Sequence, residues 1–244
     1  MSAETLKNIQ TIEETFREVQ ELFLHFTDTD ALVQKLNAYS AEFRSVAFEA
    51  ASMCIALEDL KNGTALPNWK IFLREFATNY ATQFHIGLGW ALAQQQLLPV
   101  SFLKELETEN GNRVLDGYGY YEGMFRRRKS VLQQVYPDWC NEHTIAYYDR
   151  GLGRSIWYVS RAEIQTTSNT IQNFPESRQT ALWRGIGIAV TYAGGSTESE
   201  LCELRQLAGI YAGELLKGAE LAINSRKEAD CMTESAQLAL KVWE

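Results

Sequence analysis

Histidine and cysteine are scarce in this chain of 244 residues: three histidines (His25, His85 and His143) and four cysteines. A centre built on several such ligands is all but excluded, so neither a metal nor a bound cofactor is expected. Cys54, Cys140, Cys202 and Cys231 show no C-x-x-C spacing and fall in helix-like segments, so they read as reduced thiols. No apolar run approaches the ~20 residues needed to cross a bilayer. The opening MSAETLKN lacks the charged and apolar regions of a signal peptide, which predicts a cytoplasmic protein without a membrane. Positive charge is also short. Lys and Arg number 23 against 31 Asp and Glu, a net charge of −8. Such a chain lacks the broad basic face that a phosphate backbone requires, so nucleic acid is not an expected partner. The basic run from Arg126 to Lys129 reads as a solvated helix end.

Apolar residues make up 45% of the chain, enough for one sizeable core. Helical periodicity runs nearly throughout. Residues 5–26 set Ile9, Ile12, Phe16, Val19, Leu22, Phe23 and Phe26 on one stripe, and 40–61 repeat the pattern with Phe43, Val46, Ala50, Met53 and Leu57. Asn62-Gly63 ends that helix and Pro67 opens the next. Residues 68–96 read as one broken or two consecutive helices, the second apolar nearly all round. Further helices are expected over 99–108, 110–132, 142–158, 161–173, 178–194, 198–227 and 233–243. Ser160-x-x-Glu163 and Thr197-x-x-Glu200 have the form of capping boxes. No stretch alternates for long enough to be a strand. The expectation is one all-α, multi-helix domain over 1–244.

The glycines stand where loops do not need them. Gly87-Leu-Gly89, Gly117-Tyr-Gly119, Gly151-Leu-Gly153 and Gly185-Ile-Gly187 all fall in or beside helical segments, where each Gly costs ~1 kcal/mol against Ala. A dinucleotide fingerprint is a poor fit, because IAYYDR before Gly151 is a weak strand and residue 156 is Ile. Two readings stay open: small ridges that let helices approach closely, or room for a flat ligand between them.

Aromatic and ionisable residues flank each patch, and ionisable groups in apolar segments are paired or functional. His85 is the one histidine in a core-like context and the natural general base. Asp149, Arg150 and Arg154 form a charged set in which the two arginines, one turn apart, suit a carboxylate, thioester carbonyl or enolate. Tyr118 with Glu122, and Asp116 with Tyr120, are spaced to pair along one helix face. Glu49 interrupts an apolar stretch and is expected to face the same cavity. Catalytic candidates are therefore His85, Asp149, Arg154 and Glu122. Substrate-binding candidates are Glu49, Met53, Trp90, Asp116, Tyr118, Tyr120, Tyr148, Arg150, Trp157, Trp183 and Tyr192. No nucleophile elbow, phosphate loop or zinc-protease motif occurs.

Five segments carry a resemblance: AFEAASM (47–53), HIGLGWA (85–91), DGYGYYEGMF (116–125), YDRGLGRSIW (148–157) and LWRGIGIAVTYAGG (182–195). In these, in this order, the chain resembles a bacterial family that recurs in enediyne and related natural-product gene clusters. The family pattern has a second aromatic-His step after the DGYG element, where this chain has Tyr121-Glu122, so no catalytic histidine carries over there. The resemblance implies specialised metabolism: cofactor-independent assembly or tailoring of polyketide and aromatic scaffolds. A kinship with furanolide (γ-butyrolactone) synthases, which form C–C bonds, is also implied. The expected activity is cofactor-independent acid–base C–C bond formation or cyclisation on an aromatic or polyene acyl substrate. The alternative is a binding or self-resistance protein for a hydrophobic product. A homodimer, or other pathway enzymes, would be its further partners.

Overall fold

A computed structural model describes residues 2–25, 28–63, 65–106 and 110–244. Among these the fold is all-α, with no strand. Helix α1 (Ala3–Phe23) is capped by Ser2, whose hydroxyl accepts from the Thr5 amide. Phe26, the last residue of the predicted stripe, lies outside the described residues. Helix α2 (Thr29–Asn37), capped by Asp28, was not legible in the pattern, being only nine residues long. Helix α3 (Ala41–Leu60) is followed by Gly63, whose φ of +137° suits glycine alone. Helices α4 (Pro67–Phe76) and α5 (Ala81–Gln94) are the predicted broken pair, separated by a 3-10 turn at Thr78–Tyr80.

Four expectations are corrected. The helix over 99–108 is instead two single 3-10 turns, Pro99–Ser101 and Leu103–Glu105, with residues 107 and 108 outside the described part. The predicted 110–132 helix is α6 (Arg113–Phe125) followed by a π turn at Arg128–Leu132. Beyond α7 (Ile145–Val159), Ser160 does not open the next helix: Arg161 and Ala162 take positive φ, so α8 (Ile164–Gln172) starts three residues later. Its cap is Glu163, whose carboxylate accepts from the amides of Gln165 (3.2 Å) and Thr166 (2.6 Å). Helix α9 (Glu176–Ala193) follows. The predicted 198–227 helix is broken at Gly209 (φ +55°) into α10 (Glu198–Ala208) and α11 (Ala212–Glu228), and α12 (Glu234–Trp243) closes the chain. The Thr197–Glu200 capping box is present as predicted.

The Gly-x-Gly patches build the core. Residues two apart on a helix point to nearly opposite faces, so each patch offers one glycine to the helix before it and one to the helix after. A Cβ on Gly89 would overlap the Val114 carbonyl oxygen of α6, and one on Gly117 the Ile86 carbonyl of α5. The same reciprocal lock recurs between α6 and α7 (Gly119 on Tyr148, Gly151 on Asp116), between α7 and α9 (Gly153 on Leu182, Gly185 on Arg150), and between α9 and α11 (Gly187 on Leu215, Gly218 on Arg184). Gly87 meets the Glu49 carbonyl of α3. Backbones at this separation place Cα–H groups on carbonyl oxygens, an interaction of roughly 0.5–1 kcal/mol that offsets part of the helix-propensity cost of glycine.

The result is a row, α3–α5–α6–α7–α9–α11, whose members are locked backbone to backbone. The row bends back on itself. Gln83 of α5 donates to Ser225 of α11 at 2.5 Å, and the hydroxyls of Ser45 (α3) and Tyr192 (α9) share a hydrogen bond. Helix α1 lies across the interior, anchored by Asn8 donating to the Ala193 carbonyl at 3.0 Å. Among the described residues no helix is long and apolar enough to cross a membrane.

Candidate functional site

The interior of this bent row holds a cavity of about 200 Å³. Val46 and Glu49 of α3, Trp90 of α5, Tyr120, Met124 and Phe125 of α6, Arg154 and Tyr158 of α7, and Tyr192 of α9 form its walls. Helix α1 contributes Ile12, Glu13, Phe16, Arg17 and Gln20 as a cover. Phe16 packs on the Trp90 ring at 4.8 Å, and Trp90 meets Tyr120 edge-on at 4.9 Å. An apolar cavity of ~150 Å³ is enough for benzene, so this one admits a single ring with a short arm.

Five predicted residues therefore share one cavity: Glu49, Trp90, Tyr120, Arg154 and Tyr192. A sixth, Asp116, stands directly behind the wall. Its carboxylate accepts from Arg150 Nε at 2.6 Å and from Arg154 Nη1 at 2.7 Å, and it is 1% exposed. Burial alone would raise this carboxyl, but Arg154 and Arg150 hold it below its ordinary value. The Arg154 guanidinium also lies over the Tyr120 ring at 4.6 Å. Arg154 is thus fixed on two sides with its charge at the cavity wall.

Glu49 is the group best tuned for proton transfer. Burial pushes its carboxyl up to about 7; Arg154 draws it down and Asp116 adds to the rise. A carboxyl that titrates near neutrality is matched to general acid–base work. Three tyrosines line the same space, and burial holds Tyr120, Tyr158 and Tyr192 above the usual phenol range. They serve as neutral walls and hydrogen-bond donors, not as bases.

The other candidates lie elsewhere. His85 is fully buried on α5, its Nδ1 2.8 Å from the Ala81 carbonyl and its ring edge-on to Trp69 at 5.2 Å. It does not line the cavity with Arg154. The charged set Asp149–Arg150–Arg154 is divided, because adjacent helical residues point about 100° apart. Asp149 turns to Arg178 of α9, which also donates to the Gln134 carbonyl and clips the loop before α7 to the row. Glu122 pairs with Arg126 one turn on (2.5 Å) and not with Tyr118, since a full charge is the stronger partner. Tyr118 and Tyr148 pack around Trp139, with ring separations of 5.2 and 5.9 Å. Met53, Trp157 and Trp183 are core residues outside the cavity wall.

Sequence reasoning missed Tyr158, Phe16 and Arg226. Tyr158 lies one turn beyond Arg154, a spacing that marks it. Phe16 belongs to a helix whose pattern gives no hint that it covers a site. Arg226 is 1% exposed; it lies over the Tyr192 ring at 4.4 Å and donates to the carbonyls of Tyr192 and Cys231. Nothing in a helix-end Arg-Lys pair distinguishes it from a solvated cation. Among the described residues, no three His, Cys, Asp or Glu side chains are grouped to hold a metal ion.

The chain belongs to the family described as protein of unknown function (DUF1702), whose model matches residues 1–244. No curated protein and no solved structure matches the chain.

Proposed function

We propose that this chain is an acid–base enzyme of specialised metabolism, acting on a small aromatic or unsaturated acyl substrate in the covered cavity. The observation that supports this most directly is a buried carboxyl poised near neutrality, Glu49, on the same cavity wall as a fixed guanidinium, Arg154. Glu49 as carboxylate removes the proton α to the acyl carbonyl. The C–H electron pair becomes the C=C bond, the carbonyl π pair moves onto the oxygen, and Arg154 stabilises the resulting enolate. Asp116 is a positioning residue: it touches no substrate but fixes the arginine. The enolate carbon then attacks a second carbonyl carbon of the substrate, whose C=O π pair moves onto its oxygen and takes the proton back from Glu49; this aldol-type step gives C–C bond formation or cyclisation, in keeping with the natural-product resemblance. Helix α1 covers the wall on which Glu49 and Arg154 lie buried, and limited water there strengthens each of these interactions.

The test is solvent exchange. The purified chain, incubated in D₂O with the N-acetylcysteamine thioester of phenylacetic acid, is expected to place deuterium at the α-carbon. Mass spectrometry should show at least a hundredfold loss of that rate in Glu49→Gln, the usual scale for removing a proton-transfer group. Full exchange in Glu49→Gln would contradict the assignment. Binding of the thioester without exchange in the wild type would favour the non-catalytic binding reading.

A further inference from the structure

Around Asp116, the buried charges balance only when Glu49 is ionised. Arg113, Arg150 and Arg154 lie close enough to repel one another, and burial together with that repulsion lowers Arg113 to about 10. Facing them are Asp116, which pairs with Arg150 and Arg154, Glu228 beside Arg113, and Glu49. Three guanidiniums thus meet three carboxyls, and protonating Glu49 leaves one positive charge without a counter-charge. Glu13 and Arg17, on the cover helix, offset each other. The tyrosines of the wall are neutral at physiological pH, and Arg226, which donates to carbonyl oxygens over the Tyr192 ring, adds a further positive charge.

Two further observations give the sign of the ligand. Among the described residues that line the cavity, the one buried polar side-chain atom without a partner is a donor, Trp90 Nε1. A buried donor without an acceptor is costly, so this indole N–H calls for an oxygen acceptor. Two of the cavity's aromatic faces already carry the protein's own cations, Arg154 over Tyr120 and Arg226 over Tyr192. A bound ammonium would therefore meet like charge.

We propose that the cavity binds aryl carboxylates, the ligand's negative charge replacing that of Glu49, which takes up a proton as the ligand enters. This deepens the acid–base reading and rests on it. The complex has the charge arrangement of the enolate intermediate: an oxyanion at Arg154 beside a protonated Glu49. Aryl carboxylic acids of the right size are then competitive ligands, and the substrate proper is a neutral, activated acyl group that becomes anionic only after proton removal.

The experiment is isothermal titration calorimetry of the whole chain with phenylacetate, 2-phenylethanol and phenethylammonium. These share one ring and a two-carbon arm but differ in charge. Phenylacetate is expected to bind, the alcohol more weakly, and the ammonium not at all. With Glu49 titrating near 7, the binding-competent protonated fraction falls about tenfold between pH 6 and pH 8, and the apparent affinity for phenylacetate falls with it. At pH 8, buffers of different ionisation enthalpy should report uptake of about one proton. Glu49→Gln, which keeps the shape and cannot ionise, is expected to bind phenylacetate equally at both pH values. Binding of phenylacetate with no pH dependence and no proton uptake, or preference for the alcohol or ammonium, overturns this inference and leaves the exchange assay above as the judge of the enzyme reading. Failure of all three probes to bind overturns the cavity itself as a ligand site.

Discussion

Replacing Gly151 by alanine is expected to cost at least about 3 kcal/mol, and valine more. The added Cβ would overlap the Asp116 carbonyl oxygen and crowd the Tyr120 amide nitrogen, both backbone atoms of α6. A side chain in the way rotates aside; two backbones locked at this separation can only part, and the whole α6–α7 contact opens with them. Native domains are stable by roughly 5–15 kcal/mol, and each kcal/mol moves the melting temperature by about 2–4 °C at this size. Gly151→Ala should therefore melt about 10 °C below wild type by circular dichroism. Gly213→Ala is the matched control. Its Cβ would meet nothing within 4 Å, and it lies in the first turn of α11. Alanine there should leave the melting temperature unchanged or raise it slightly. Equal melting of Gly151→Ala and wild type would mean that the glycine locks do not hold the row.

Asp116→Ala is expected to have an effect of similar size for an electrostatic reason. The carboxylate is 1% exposed and satisfies both Arg150 and Arg154. Its loss leaves two buried guanidiniums facing each other and Arg113. Breaking a buried ion pair from one side costs about 3–5 kcal/mol. The urea midpoint should drop accordingly, and adding Arg150→Met should restore part of the loss by removing one orphaned charge. Glu58, whose pair with Lys61 is solvent-exposed (side chains 65% and 66% accessible), is the contrast: Glu58→Ala should change stability by less than about 0.5 kcal/mol. If Asp116→Ala were as mild as that, the pairing behind the cavity would carry no weight.

Much of this architecture was legible in the sequence. Apolar periodicity marks the long helices, and Gly63 and Pro67 mark a boundary. The errors have specific causes. Gly209 sits in a continuous helical pattern, and only its positive φ shows that it splits α10 from α11. The Ser160 capping box failed because a left-handed turn at Arg161 and Ala162 moved the start to Glu163. The Gly-x-Gly patches were ambiguous between packing and pocket because they serve packing directly and the pocket indirectly. By drawing the backbones together they bend the row around a shared interior, and side chains from neighbouring helices meet there.

The same geometry explains the mixed outcome for site residues. Glu49, Trp90, Tyr120, Arg154 and Tyr192 come from five different helices, and no spacing along the chain relates them. Neighbourhood in sequence favoured Asp149 with Arg154 and Glu122 with Tyr118, yet helical rotation and a nearer arginine sent each acid elsewhere. His85 stood out as the one histidine in a core-like context; it is buried, but away from the cavity. The feature that marks Glu49 is an acid in the middle of an apolar stretch of its helix, an exception in the pattern more informative than any motif.

The protonation of Glu49 in the unliganded protein tests the account most directly. Carboxyl ¹³C NMR of glutamate-labelled chain, with Glu49→Gln supplying the assignment by difference, follows one resonance across the pH range. The account predicts a midpoint near 7 for Glu49, as burial against the pull of Arg154 requires. A midpoint near the ordinary glutamate value of about 4.3 would show a solvated carboxylate, and with it neither a poised base nor a proton to exchange with a bound anion.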